Sequence, residues 1–144
     1  MKDIPLNDLL EISKNLEMSE KRVLSALKHA EIGVWEWDLE TNWLYWDNKM
    51  FELFGVEKDS FVNTYDDFIK AVHPDDVQKV EKKIKDCMEN KNKVYYYCFR
   101  VKRGNAYTLI TGRGGIERNL DGQPVKMTGI CYEVNSKCPV RELL

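Results

Sequence analysis

The stretch GVWEWDLETNWLYWDN, from Gly33 to Asn48, decides the fold, and it contains all four tryptophans of the chain. Its first half has a two-residue period, in which Trp35, Trp37 and Leu39 alternate with Val34, Glu36 and Asp38. This period is typical of a β-strand with one buried face. We therefore expect the two tryptophans to point inward and the acids outward.

The second half predicts the return of a β-hairpin. A Glu-Thr-Asn sequence supplies turn-forming side chains, and residues 43–47 form the predicted second strand. Trp43 and Tyr45 share one face of that strand, and Leu44 and Trp46 share the other. The pattern leaves open which of these faces is the inner one. We expect Trp46 to join the two earlier tryptophans in the core and Trp43 to lie at its rim.

The region before the hairpin predicts a helix, because the sequence from Leu6 to about Glu31 is charged, contains no glycine and has a helical period. Two heptad positions carry Leu9, Leu16, Val23 and Ala30 on one side and Ile12, Ser19 and Ala26 on the other. Two interpretations stay open. Either Leu9, Ile12, Leu16 and Val23 form a seam between two chains, or a single amphipathic helix lies on its own domain. Ser19 also fits the N-cap of a second helix starting at Glu20.

Helices and then strands follow the hairpin. The predicted helices cover about residues 48–54, 65–72 and 75–89, and the predicted strands about 94–103, 107–118 and 125–134. The last helix has an apolar stripe of Val77, Val80, Ile84, Cys87 and Met88. This order predicts an α+β fold, with an antiparallel sheet and the helices gathered on one face. The concave side of such a sheet is either filled by the helices or keeps a cavity.

Composition limits the classes of function. A chain of 144 residues with 43% hydrophobic and 32% charged residues fits one ordinary globular domain. A net charge of −2 gives no general attraction to nucleic acid or to an anionic membrane. No stretch resembles a signal peptide, and no apolar run reaches the roughly 18 residues of a membrane span. We therefore expect a cytoplasmic location and reduced thiols.

Several phrases of the sequence, in this order, resemble a PAS domain, especially the subtype common in bacterial sensor histidine kinases and cyclic-dinucleotide signalling proteins. The matching phrases are ALKHAEIGVWEWDLETN, YWDNKMFELFGV, FIKAVHPDDV, FRVKR and DGQPVKMTGICYEVN. The resemblance covers about residues 19–135 and implies a five-stranded antiparallel sheet. It places a PAS domain at 32–135, after a helical segment at 1–31 and before the start of a linker to an output domain at 136–144.

The sequence departs from the family pattern at the end of the last strand. Many members carry Asp-Ile-Thr there, where the acidic side chain helps to fix the exit into the output helix. This chain has Glu133, Val134 and Asn135, which the resemblance makes the candidates for signal exit. The turn at Gly104 lacks the usual preceding Asp, and Leu109 stands where an aromatic residue is usual.

Two cofactors of PAS relatives are not expected. Flavin photochemistry in relatives depends on an Asn-Cys-Arg phrase in the helical region, which the sequence lacks, and Cys87 is predicted to pack as a small hydrophobe. Haem needs an axial ligand, and the two histidines are His29, on the first helix, and His73, in an HPDD helix start. The four cysteines have no CxxC spacing and no neighbouring histidine, so no metal site is predicted.

Catalysis finds little support in the sequence. The pairs Asp66-Asp67 and Asp75-Asp76 are adjacent, so their side chains diverge, and we expect them to solvate helix starts. The phrase TGRGG, residues 111–115, lacks the Lys-Ser/Thr of a phosphate loop. Glycines in a strand more often mark a bulge or a close backbone contact, and Arg113 is expected at the surface.

The aromatic residues give the candidate ligand site. If the tryptophans do not simply fill the core, we expect a pocket for a small apolar or aromatic ligand. Its candidate lining residues are Trp35, Trp37, Trp46, Phe51, Phe54, Tyr65, Phe68, Tyr97 and Phe99. The sequence thus favours a non-enzymatic sensory module of a larger bacterial signalling protein, with a sensor histidine kinase as the first candidate parent and a homodimer as the assembly. The alternative is a structural dimerisation spacer with a closed core.

Overall fold

A computed structural model describes residues 3–134 of the 144-residue chain. Asn135 and the linker predicted at 136–144, which includes Cys138, lie outside the described residues. The chain divides into two compact units, of which the first ends at Glu31 and the second begins at Ile32. The first contains a single helix, and the second is an α+β domain.

Helix α1, Leu6–Ala30, is continuous over 25 residues. The prediction of a second helix starting at Glu20 is wrong, because the helix runs through Ser19 without a break. No glycine or proline lies within α1, so every residue is compatible with the helical backbone. The helix ends where Glu31 takes a left-handed conformation with φ of 55°. No residue of α1 is buried.

The second unit is built on a five-stranded antiparallel sheet in the order β2-β1-β5-β4-β3. The strands are β1 Gly33–Asp38, β2 Leu44–Trp46, β3 Tyr95–Arg103, β4 Ala106–Arg118 and β5 Pro124–Glu133. This architecture confirms the predicted fold class. The first and last strands are neighbours at the centre, and a register shift between Glu117 and Arg118 is the irregularity recorded between β4 and β5.

Helices α2 Asn48–Phe54, α3 Tyr65–Ala71 and α4 Pro74–Glu89 lie between β2 and β3, with a short 3-10 turn at Lys58–Ser60. One face of the sheet packs against them, and we call it the inner face. Its core includes Phe54 of α2 and Phe99 of β3, each 1% exposed. Burying a side chain of this size stabilises the fold by about 2 kcal/mol.

The hairpin follows the prediction and settles which face is the inner one. Leu44 and Trp46 are buried, whereas Trp43 and Tyr45 stack on each other on the outer face and are exposed. The turn is tight because the Asp38 carboxylate accepts hydrogen bonds from two backbone N–H groups, at 2.9 and 3.1 Å.

The acidic pairs at the helix starts divide into one exposed and one buried carboxylate each. Asp66 and Asp75 are exposed, whereas Asp67 and Asp76 are buried. The expectation that these carboxylates solvate helix starts holds for Asp67, whereas Asp76 binds Arg100 instead. Asp67 forms a capping box with Thr64 at the start of α3. Both buried carboxylates make hydrogen bonds within the fold that replace those to water.

Helix α4 is fixed to the edge strand β3 at its first turn. The Arg100 side chain donates two hydrogen bonds to the Asp76 carboxylate, from Nε at 3.0 Å and from a terminal nitrogen at 2.8 Å, and its backbone N–H donates a third at 2.8 Å. The Arg100 side chain is the main reason that the pKa of Asp76 lies below its ordinary value, against the opposing effect of burial. At the other end of α4, Arg118 donates to the carbonyl oxygens of Cys87 and Met88. Both ends of the helix are thus bonded to the sheet.

Candidate functional site

The floor of the candidate site is the indole ring of Trp35, which lies on glycines of the inner face. The indole of Trp35, on β1, lies so close to β4 and β5 that a Cβ at Gly114 would be 2.8 Å from its ring. A Cβ at Gly129 would collide with the same ring and with the carbonyl oxygen of Arg113. The absence of side chains therefore lets a large ring lie flat on the strands. This confirms the close backbone contact predicted for TGRGG, whereas the register shift lies elsewhere.

Above this floor lies an apolar cavity of about 40 Å³. A water molecule needs roughly 10–15 Å³ measured in this way, so the space fits about three water-sized groups. The residues that line the cavity come from the hairpin strands β1 and β2, from helices α2, α3 and α4, and from strands β3, β4 and β5. They are Trp35, Trp37, Leu44, Trp46, Met50, Tyr65, Phe68, Ile84, Tyr95, Phe99, Gly112, Met127 and Cys131.

One wall of the cavity is an aromatic stack. Trp37 is half-buried and lies on Tyr65 with ring centroids 4.6 Å apart and planes 19° apart. The indole N–H of Trp37 donates to Asn42 Oδ1 at 2.9 Å. Asn42 itself has a left-handed φ of 61°, so the hairpin turn fixes the position of the Trp37 ring. Burial raises the pKa of the Tyr65 hydroxyl, and the nearby Glu81 carboxylate adds to this rise, so Tyr65 is neutral at physiological pH.

The lining also includes Tyr95 and Cys131, whose polar atoms are deeply buried. Tyr95 is 3% exposed and meets Trp35 edge-on, with centroids 6.4 Å apart. Within the described residues 3–134, no group forms a hydrogen bond with the Tyr95 hydroxyl. Burial raises the pKa of the hydroxyl and also that of the Cys131 thiol. Both groups are therefore protonated at physiological pH.

Six of the nine predicted pocket residues line the cavity, and three do not. Phe51 and Phe54 instead fill a compact aromatic cluster with Trp46 and Phe61, in which Trp46 lies 5.4, 4.7 and 4.7 Å from the other three rings. Tyr97 is half-buried and has the Lys83 ammonium 5.9 Å from its ring centre.

Sequence reasoning missed seven lining residues: Leu44, Met50, Ile84, Tyr95, Gly112, Met127 and Cys131. For Tyr95 a signal existed, since alternation along β3 places Tyr95, Tyr97 and Phe99 on the same face. Gly112 was marked only as part of a glycine-rich phrase. Its role is steric, because a Cβ there would lie 3.1 Å from the Tyr95 ring and 3.4 Å from the Phe99 ring.

The histidines and the cysteine considered as cofactor ligands do not line the cavity. His73 caps α4, since its Nδ1 accepts a hydrogen bond from the Asp75 backbone N–H at 3.0 Å. Cys87 is buried on the apolar stripe of α4, and burial raises the pKa of its thiol. His29 is exposed on α1. Among residues 3–134, no group of three or more histidine, cysteine or acidic side chains is placed to hold a metal ion.

The predicted signal-exit residues lie at the end of β5. The Glu133 carboxylate accepts hydrogen bonds from Thr108 at 2.8 Å and from Arg103 at 2.9 Å, which joins β5 to β4 and β3. The Thr108 hydroxyl is the main reason that the pKa of Glu133 is lowered. The backbone N–H of Val134 donates to the Leu109 carbonyl at 2.9 Å. Asn135 lies outside the described residues.

The predicted seam residues form an exposed apolar stripe on α1. Leu9, Ile12, Leu16 and Val23 are between 46% and 66% exposed. These four positions recur at heptad spacing on an unbroken helix, so they share one face. No helix in the described part of the chain is sufficiently long and apolar to cross a membrane.

Comparisons with known proteins agree with this geometry. A family model described as the PAS fold matches residues 44–131, more than half of the chain. "Probable diguanylate cyclase DgcE" of Escherichia coli is 25% identical over 142 residues, which is 96% of this chain and 13% of that protein. "Sensor protein FixL" of Bradyrhizobium diazoefficiens is 31% identical over 114 residues, 78% of this chain and 22% of that protein. The chain thus spans less than a quarter of either relative.

A solved structure supports the same assignment at the level of the fold. The sensory box histidine kinase/response regulator of Burkholderia thailandensis superposes with a TM-score of 0.68 at 24% sequence identity, covering 85% of this chain and 91% of the other. With the family match and the order of strands, the conclusion is that this chain belongs to the PAS family and is a sensory module of the kind found in signalling proteins.

Proposed function

We propose that this PAS module senses a small, largely apolar molecule bound in the cavity that Trp35 and Tyr95 help to line. The observation that carries the proposal is the cavity itself, which is lined by apolar and aromatic side chains and lies against the central strands of the sheet. Apolar concave sites with few polar groups are typical of small-molecule binding. The module is itself non-catalytic. Its buried carboxylates, Asp67 and Asp76, are engaged in hydrogen bonds within the fold.

The proposed signal leaves through the end of β5. Cys131 lines the cavity, and Glu133 and Val134 follow it on the same strand. A ligand that moves the inner face of β5 thus acts two residues away from the hydrogen bonds that join Glu133 to its neighbours. If this route is used, ligand binding changes the rate of hydrogen exchange of the Val134 amide, whose partner is the Leu109 carbonyl.

The parent protein is proposed to be a bacterial signalling protein with a downstream output domain, either a sensor histidine kinase or a diguanylate cyclase. The similarity to FixL and DgcE supports this range. We propose a cytoplasmic module that forms a homodimer through the exposed stripe of α1. The support for this contact is that four apolar side chains are exposed along one face of the helix.

The ligand proposal is tested by native mass spectrometry of the freshly purified chain, before and after mild denaturation. A bound mass that unfolding releases supports it. Ile84 lines the cavity, so Ile84→Phe fills the space and should abolish the bound mass, whereas Met88→Phe on the same helix stripe should retain it. The proposal is overturned if the wild-type chain carries no added mass and the methionine methyl NMR signals of Met50 and Met127 do not respond to xenon, which enters apolar cavities.

A structural dimerisation spacer is the second candidate, favoured by the small volume of the cavity. Both candidates use the α1 stripe, which is tested by sedimentation of the double variant Leu9→Asp/Leu16→Asp. The matched control is Lys14→Gln/Lys21→Gln, which changes the net charge equally. We expect monomers only for the first variant. A dimer that persists in both variants would show that α1 does not form the interface. A bound ligand would rule out the spacer with a closed core.

A further inference from the structure

The apolar seam of helix α1 changes in size along its length. It begins with large side chains, and apart from one valine it continues with small ones. In chain order the seam residues are Leu9, Ile12, Leu16, Ser19, Val23 and Ala26. No residue of α1 is buried, so the large and the small end of the seam are both open to a partner.

This gradient disfavours a parallel pair of α1 helices. In a parallel pair each seam residue faces its own copy, so two Ser19 side chains would share one layer and two Ala26 side chains another. Layers built from small residues alone leave gaps between the helices and bury little apolar surface.

An antiparallel pair removes this defect. When two copies of α1 overlap over nearly their whole length in opposite directions, each residue of one heptad position faces a residue of the other position. No layer then consists of two small residues, and the large side chains fill the space beside the small ones. The facing residues are Leu9 and the partner's Ala26, Leu16 and the partner's Ser19, and Ile12 and the partner's Val23.

The same alignment covers two leucines beside the seam. Leu6 is 70% exposed, and it has the same heptad position as Leu27. Residues at this position meet across an antiparallel interface, so Leu6 contacts the partner's Leu27. In a parallel pair Leu27 would instead face a charged residue, Arg22.

The charge of α1 is divided in the same way. Residues 6–17 contain three acidic side chains and one lysine, a net charge of −2, whereas residues 19–30 contain three basic side chains and one glutamate, a net charge of +2 with His29 neutral. An antiparallel pair brings opposite charges together along both halves, and a parallel pair brings like charges together. The helix dipole does not explain this division, because its effect is confined to the end turns and Glu17, Lys21 and Arg22 lie near the middle.

We propose that α1 pairs antiparallel with α1 of a second copy of this chain, with Leu9 of each copy facing Ala26 of the other. This inference rests on the proposed homodimer and names its geometry. The C-terminal ends of the two helices then lie at opposite ends of the pair, about 37 Å apart for a helix of 25 residues.

The test uses disulfide formation between single introduced cysteines in chains that carry Cys138→Ser, since the other three native cysteines are buried. A mixture of Leu9→Cys and Ala26→Cys chains should give about tenfold more cross-linked dimer than either chain alone. A parallel pair predicts the reverse, because each cysteine then faces its own copy. The matched control is a mixture of Lys14→Cys and Lys21→Cys chains, which lie at facing heights but on the outer side of the helix and should not cross-link.

Reversed charges give a second test that needs no cysteine. In sedimentation at low salt, Glu11→Lys/Glu17→Lys makes both halves of α1 basic, and we expect the Kd of the dimer to rise about fivefold. Adding Lys21→Glu/Arg22→Glu to the same chain exchanges the charges of the two halves and should return the Kd to within about twofold of the wild type. A combined variant that binds no more tightly than the first would overturn the antiparallel pairing.

The outcomes separate this inference from the proposed homodimer. If Leu9→Cys chains cross-link to one another and the mixture gives no further product, the antiparallel geometry is overturned and the α1 dimer remains. If the wild-type chain sediments as a monomer, both are overturned. If it sediments as a dimer but no seam cysteine cross-links, α1 is not the interface and both are again overturned.

Discussion

The inner face of the sheet carries two groups of aromatic side chains that pack in opposite ways. Around Trp46, the rings of Phe51, Phe54 and Phe61 close on one another, and Phe54 is 1% exposed. Beside them, Trp35 and Tyr95 meet edge-on at 6.4 Å and leave a cavity. Residues of the same chemical type thus fill the region around Phe54 and leave space beside Trp35, and Trp46 borders both regions.

The backbone beneath the rings explains the difference. Trp35 lies on Gly114 and Gly129, so its indole ring packs directly against the backbone of these strands. The space above the ring is left open. The Trp46 cluster instead is built against α2, whose side chains Phe51 and Phe54 reach over the short strand β2. The comparison teaches that the cavity depends on missing Cβ atoms at least as much as on the aromatic residues that surround it.

Truncation of the closed cluster should have the largest effect. Phe54→Ala removes a ring from a filled region, so we expect a loss of about 4 kcal/mol in the free energy of unfolding. Ile84→Ala, at the cavity, should cost about 2 kcal/mol because its side chain already lacks contacts on one side. Urea unfolding at neutral pH measures both. Equal costs would mean that the two halves of the core are packed alike.

Substitution of a glycine beneath Trp35 should destabilise the domain nearly as much as the Phe54 truncation. Gly129→Ala places a methyl group against the Trp35 ring and a neighbouring carbonyl oxygen, and we expect it to cost about 3 kcal/mol. Gly115→Ala is the matched control in the adjacent strand, because nothing lies within 4 Å of its added Cβ. Its effect should stay within about 0.5 kcal/mol. Thermal unfolding of the two variants measures this difference. Similar melting temperatures would contradict the close contact between Gly129 and Trp35.

The ion pair between Asp76 and Arg100, which attaches α4 to the sheet, makes the stability of the domain depend on pH. Folding lowers the pKa of Asp76 below its ordinary value of 3.8, so its contribution to stability is complete above that value and is lost as the pH falls through the lowered pKa. We expect Asp76→Asn to cost about 2 kcal/mol at pH 7, moderated by the partial exposure of Arg100.

Urea unfolding of the wild type and of Asp76→Asn between pH 7 and pH 3 measures this dependence. The difference between the two proteins should begin to shrink below about pH 4, because Asp76 then gains a proton in the unfolded chain, whereas the folded wild type binds that proton only at a lower pH. Asp75→Asn, at the exposed neighbouring position, is the control. A difference that stays constant down to pH 3 would argue against a lowered pKa at Asp76.

The smallest expected effect has the opposite sign. Tyr95→Phe removes a buried hydroxyl without a protein partner, so the unliganded domain should gain about 1 kcal/mol. Tyr97→Phe, whose side chain is half-buried, should be neutral. Chemical denaturation of ligand-free protein tests this, and a destabilised Tyr95→Phe would show that the hydroxyl is bonded in solution.

Local patterns were sufficient to predict the elements of this fold. Alternation predicted the hairpin with Trp35 directed inward and paired Trp46 with Leu44 on one face, but it left open whether that face is the inner one. The apolar stripe of α4 predicted its buried residues Val80, Ile84 and Cys87. These elements depend on side chains within one strand or one helix, and a period in the sequence records that arrangement.

The site depended on contacts between distant strands, which no local period records. Alternation places Tyr95 and Tyr97 on the same face, but only Tyr95 lies against Gly112 of the neighbouring strand and lines the cavity. The glycine phrase indicated a close contact without naming its partner, Trp35. Phe51 and Phe54 were predicted to line the cavity because they are aromatic, yet the packing of α2 directs them into the closed cluster.

The order of the strands has a practical consequence for handling this domain. Because β1 and β5 are paired at the centre of the sheet, Gly33 stands opposite Cys131. Paired Cα atoms are about 5 Å apart, so the polypeptide passes into and out of the sheet at neighbouring points. A segment with its two termini this close can be spliced into a surface loop of a host protein without spreading that loop. The same proximity makes the domain suited to circular permutation, with new termini placed in the turn at Gly104.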